Sequence, residues 1–212
     1  EASGENRIVV VPGVLDRFEV EHLAPLDELL TSCDVLVVGL EIPVEIAAEA
    51  LRRGRRAGVV TVLNPAPPKP LPAGMLNDVD HLVPNLHEAI ELAGAPEHES
   101  PERLVVSAAF AAVPNLAITL GDEGVILRSG GVIGRVPALE VTAVDTTGAG
   151  DSFTAAYAVA IGAGCPPFAA AAYANAAAGH TVTLEQVVPA LPYHTQLPDL
   201  ASVAGANPGG DT

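Results

Sequence analysis

The chain of 212 residues has no tryptophan, one methionine, two cysteines and one lysine, Lys69. Cys33 and Cys165 stand far apart, so neither a disulfide framework nor a zinc site is indicated. Ten Lys and Arg stand against 26 Asp and Glu, a net charge of −16. No basic stripe is left to neutralise a phosphate backbone, which excludes nucleic acid as a partner. No apolar run reaches membrane-spanning length; the longest, at 169–178, is alanine broken by Asn175. The opening residues are not a signal peptide, and the sequence reads as though cut from something longer. What is present is 49% hydrophobic residues with only 3% aromatics. That balance suits a helix-and-sheet cytoplasmic enzyme of one large domain or two small ones.

Along the chain, β-branched and apolar runs at 8–11, 35–39, 59–63 and 81–83 read as strands, followed by 116–120, 125–128 and 132–136. Ser129-Gly130-Gly131 joins the last two as a hairpin. Helical spacing appears at 44–56, where Arg52, Arg53, Arg55 and Arg56 precede Gly58; the arginines complement the dipole at the helix end. Further helices are expected at 85–92, at 101–111 behind Ser100 as cap, and at about 149–161 and 167–179. Residues 64–72 hold five prolines and form a rigid loop. The Gly- and Pro-rich tail from 198 reads as disordered. Strands alternating with helices give an α/β fold, a mostly parallel sheet covered on both faces. Such sheets place ligands at the C-terminal ends of strands. Glu41, Asn64, Asn85, Gly121 and Asp145 each follow a strand, the last of them the run Val141-Thr142-Ala143-Val144.

The segment Asp145-Thr146-Thr147-Gly148-Ala149-Gly150-Asp151-Ser152-Phe153 carries the most chemistry. Small residues sit where a strand becomes a helix, and free amides plus the helix dipole make an anion site there. Asp151 lies in the first turn, placed to act as a base for phosphoryl transfer; alternatively the glycines permit a tight turn and Asp151 steadies the helix start. Neither Gly-x-x-x-x-Gly-Lys nor Gly-x-Gly-x-x-Gly follows a first strand, so P-loop and dinucleotide sites are disfavoured. Asn85 and Glu88 share a face and could hold a Mg²⁺-bound water and phosphate oxygens; Asn-x-x-Glu equally spells an N-cap with its capping box. Thr119-Leu120-Gly121-Asp122-Glu123-Gly124 is either a nucleotide shelf or an ordinary turn. The six histidines lack metal-ligand spacing and read as surface or structural.

Together these motifs resemble the ribokinase family, the PfkB-type carbohydrate kinases. The likeness rests on residues 144–153 and on Leu40-Glu41-Ile42-Pro43, Leu63-Asn64-Pro65-Ala66-Pro67, Pro84-Asn85-x-x-Glu88, and Gly4-Glu5-Asn6 with Pro12-Gly13. The resemblance implies a three-layer αβα ribokinase-like sheet spanning 15–197. It also implies a lid strand remnant at 1–14, with the family's N-terminal portion absent. By this resemblance the activity is ATP-dependent phosphorylation of D-ribose to ribose 5-phosphate, with Asp151 as base and Gly148, Ala149 and Gly150 as anion hole. Glu41 would touch the sugar, and Glu88 would serve Mg²⁺ indirectly. Asn85, residues 119–124 and Asn175 would border ATP. Asp145 and Thr147, with carbonyls near Thr181 and Leu184, would hold K⁺. Where the family usually closes that loop with Gly-Ala, this chain has Leu184-Glu185-Gln186-Val187. Full-length relatives imply a homodimer. The resemblance leaves open another sugar or nucleoside as substrate, or a fragment that binds nucleotide without turnover.

Overall fold

The computed structural model describes residues 13–205; the run at 8–11, Gly4-Glu5-Asn6, Pro12 and the end of the tail lie outside them. After two 3-10 turns comes α1 (Ala24–Leu29), then β1 (Val35–Val38), α2 (Val44–Ala57) and β2 (Val60–Leu63). A proline-rich loop and a 3-10 turn lead to β3 (His81–Leu82), α3 (Leu86–Ala93) and α4 (Pro101–Leu104). β4 (Asn115–Thr119), β5 (Val125–Ser129) and β6 (Val132–Val136) follow, then α5 (Ala149–Gly162), α6 (Pro167–Val182) and α7 (Leu200–Gly205).

The six strands lie side by side in sequence order. β1 to β4 pair in parallel, while β4–β5 and β5–β6 are antiparallel, the last joined by Gly130-Gly131 opposite the Ser129–Val132 pair. Because strand side chains alternate between faces, the sheet feeds two cores. Leu63, Leu82, Leu116, Ile118 and Ile126 pack on one face with Ile46, Leu51, Ala89 and Leu104 from α2 to α4. Val62, Val83, Ala117, Val125 and Leu127 pack on the other with Phe153, Tyr157, Ala170 and Ala174 from α5 and α6. Full burial of each large apolar side chain contributes about 1.5–3 kcal/mol. The expected αβα layering is therefore present.

Each parallel crossover advances one strand in the same direction, and right-handed crossovers then put their connecting elements on one face. That is the face of α2 to α4. The other face is left for α5 and α6, which follow all six described strands in the chain.

Three sequence expectations are corrected. Residues 141–144 form no strand: they pair with no described strand, and Val141 and Val144 are exposed. Val144 and Asp145 only donate their amides to the Val182 carbonyl, at 2.7 and 3.2 Å. The helix expected over 101–111 stops at Leu104, although Ser100 does cap it; Ser107 caps a separate 3-10 turn, Ala108–Phe110. Within the expected tail, Leu200–Gly205 form the short helix α7, where Leu200 and Val203 pack on the second core.

Candidate active site

The C-terminal ends of the parallel strands gather the polar residues. Asn85 caps α3: its side chain accepts from the Glu88 amide at 2.8 Å, and Glu88 Oε2 accepts from the Asn85 amide at 2.8 Å. Asn85 Nδ2 also donates to Glu88 Oε1 at 2.8 Å. The capping box is thus real, and it fixes the pair at the site. Burial pushes the Glu88 carboxyl pKa up, the Asn85 amide and the His87 charge oppose that, and the charges of Glu41 and Asp151 add to the rise. The Glu88 carboxyl therefore feels the charge of two further acids, a repulsion that a cation would relieve. Among the described residues no three Asp, Glu, His or Cys side chains form a metal cage.

Glu41 is exposed beyond β1, and its carboxylate folds back into the space a Cβ on Gly39 would fill. On the other side stands the start of α5. Gly148 holds a left-handed φ of 80°, which a side chain would strain, and no side chain among the described residues caps the helix. The Ala149 amide bonds the Thr146 carbonyl at 3.3 Å. Those of Gly150 and Asp151 have no acceptor among the described residues, and the space over Gly150 is open. Asp151 is exposed in that first turn.

Thr119 bridges Asn85, and its amide donates to the Pro84 carbonyl at 2.9 Å. The turn Gly121–Glu123 follows, and Gly124 packs so closely on the Val136 carbonyl that a Cβ would collide with it. Asn85, Thr119, Leu120, Gly121 and Glu123 line one groove of about 450 Å³, so the anticipated shelf residues do come together. Asp122 lies exposed in the same turn. Asn175 is buried, its amide donating to the carbonyls of Val136 and Pro137 at 3.1 and 2.8 Å. It braces the chain where β6 ends and does not line the groove. Arg135 also lines the groove, ion-paired with Glu102 and, at 3.1 Å, with Glu123. No motif announced it, because its side chain reaches the groove only through the β5–β6 register.

Asp145 Oδ1 accepts the Thr147 amide at 2.9 Å, and its bonds from Thr147 hold the carboxyl below the usual range. The adjacent loop holds Gln186 at φ 73°, and Leu184 is exposed. The Thr181 hydroxyl lies buried, 2.9 Å from that of Ser152. A larger cavity of about 1130 Å³ opens between the proline loop and the far end of α3, and none of the candidate site residues lines it.

Residues 1–193 match the pfkB family carbohydrate kinase pattern. The chain belongs to that family. Ribokinase of Bacillus subtilis is 35% identical over 202 residues, 95% of this chain and 66% of the relative. Deoxyribokinase of Salmonella typhi is 30% identical, over 74% of this chain and 52% of the relative. The structure of Arabidopsis thaliana ribokinase complexed with ribose and ATP superposes with a TM-score of 0.83 at 27% identity, over 96% of this chain and 66% of that one. The chain thus spans between about half and two thirds of the length of these pfkB relatives. No helix among the described residues is long and apolar enough to cross a membrane.

Proposed function

We propose that this chain carries the phosphate-side machinery of a ribokinase, transferring the γ-phosphoryl group of ATP to the primary hydroxyl of D-ribose. The observation that carries this reading is the open first turn of α5, where the free amides of Gly150 and Asp151 stand beside the exposed Asp151 carboxylate, whose charge reaches Glu88. Phosphoryl transfer needs in-line positioning and donors for developing charge more than covalent chemistry.

Asp151 accepts the hydroxyl proton as the sugar oxygen bonds to the γ-phosphorus. The bond to the β–γ bridging oxygen breaks, and ADP leaves with that electron pair. The Gly150 and Asp151 amides donate to the oxygens of the transferring group, as in other preorganised anion sites. Thr119, Gly121 and Asn85 line the path of the nucleotide, and Glu41 orients the sugar. A magnesium ion held through water by Glu88 would neutralise phosphate charge. Potassium would sit by Asp145 and Thr147, against the carbonyls of Thr181 and Leu184. A cytoplasmic location and pairing of two full-length copies belong to the same reading.

The full-length protein is expected to release ADP with ribose, ATP and Mg²⁺, and Asp151→Asn to lower kcat about 10³-fold or more. A full-length protein that turns over no sugar overturns the proposal, and ATP binding without turnover would make the chain a nucleotide-binding module. The deoxyribokinase relative supports a second reading in which 2-deoxyribose is the acceptor. A panel of sugars and nucleosides ranked by kcat/KM separates the two.

A further inference from the structure

The Asn64-Pro65-Ala66-Pro67 motif is not absorbed by that mechanism. Asn64 follows β2, and its amide donates to the Val83 carbonyl at 3.1 Å and to Thr154 Oγ1 at 3.2 Å. Both amide hydrogens are thereby committed. Its backbone amide is fixed as well, bonded to the Val38 carbonyl at 2.9 Å. One residue therefore joins the ends of β1, β2 and β3 to helix α5.

We propose that Asn64 and Thr154 are positioning residues that set where Asp151 stands, an inference that rests on Asp151 being the base. Thr154 is three residues after Asp151, on the neighbouring turn of the same helix, and is 5% exposed. The helix start needs such a pin. It has no side-chain cap among the described residues, and glycines at 148 and 150 give it little intrinsic stiffness. Thr154 is β-branched, so its hydroxyl has few directions to choose from and transmits the position of Asn64 to the backbone. The Ser152–Thr181 contact fixes the same turn laterally against α6, without reference to the sheet. Among the described residues, the Asn64 side chain supplies the hydrogen bond that ties the first two turns to the strand ends where Glu41 and Glu88 stand.

The test uses the full-length protein with Thr154→Val, Thr154→Ser and Asn64→Ala. Thr154→Val is expected to lower kcat about tenfold or more, because a displacement near 1 Å can cost about 10²-fold in rate, while KM for ATP and sugar stays within about twofold. Thr154→Ser restores kcat, and Asn64→Ala adds little on top of Thr154→Val, as expected for partners in one bond. A Thr154→Val protein with unchanged kcat overturns the inference, as does an Asn64→Ala protein that changes only the sugar KM. If Thr154→Val does not fold, Thr154→Ala against Thr154→Ser makes the same comparison: a kcat lowered in the first and kept in the second supports the pin, and an equal kcat in both overturns it. Asp151→Asn separates this from the underlying reading: full activity there removes the base itself, whereas inactivity there beside an unaffected Thr154→Val removes only the pin.

Discussion

His81 is a base that its surroundings keep uncharged. It is 6% exposed, Nδ1 lies 3.0 Å from the Tyr157 hydroxyl, and burial lowers its pKa from 6.5 to about 4 against the pull of Asp80. A folded-state value below the unfolded one means stability is fully present above pH 6.5 and is lost as pH falls toward 4. The whole shift corresponds to about 3 kcal/mol, of which about 2 kcal/mol is gone by roughly pH 5. Urea denaturation near pH 7 and pH 5 should show that loss, and His81→Gln should remove it. Equal pH dependence in both proteins would refute the assignment. Tyr157 is held protonated by the same burial, so the pair links β3 to α5 without a charge. No local pattern hints at this contact, since 76 residues separate the partners. The glycine-flanked start of α5 is legible for the opposite reason: its signals are neighbours in sequence.

At the scale of elements, Gly54 marks where α2 lies closest to the sheet. A Cβ there would stand 2.8 Å from Leu36 Cδ2 and 3.0 Å from Thr61 Cγ2. On a free helix Gly→Ala gains about 1 kcal/mol. Here Thr61 is fully buried and bonded to Asp80, so it cannot yield. Gly54→Ala should therefore destabilise the protein by about 1 kcal/mol or more, read from thermal or denaturant unfolding. A stabilised variant would show that α2 can shift outward. Elements with local signals were readable from the sequence: the caps at Asn85 and Ser100, the Gly130-Gly131 turn, and the periodicity of α2. Those that depend on partners were not. The 141–144 run has β-branched residues but no described strand beside it, and α7 exists because Leu200 and Val203 find the second core. The groove was readable as a set of strand ends, while Arg135 and the Asn64–Thr154 bond needed the register and the docking of α5.

For the whole molecule, a net charge of −16 sets the field that the proposed nucleotide substrate would enter. Glu41, Asp122 and Asp151 leave exposed negative charge beyond the strands, while Arg135 offsets Glu123. Screening should ease the approach of an anionic nucleotide, so KM for ATP–Mg²⁺ is expected to fall about twofold between roughly 20 and 150 mM salt. A KM that rises instead would show that the amides of α5 dominate the local field.

The sequential strand order also has a consequence in time. Val62 and Val83 find their partners on α5, roughly 70 to 90 residues later in the chain. At about 5–20 residues per second of synthesis, one whole face of the sheet stays uncovered for several seconds on the ribosome. The helix that carries Asp151 is the cover that ends this exposure. A nascent chain stalled before it would be sticky, so placement of the proposed base and burial of the second core are one event.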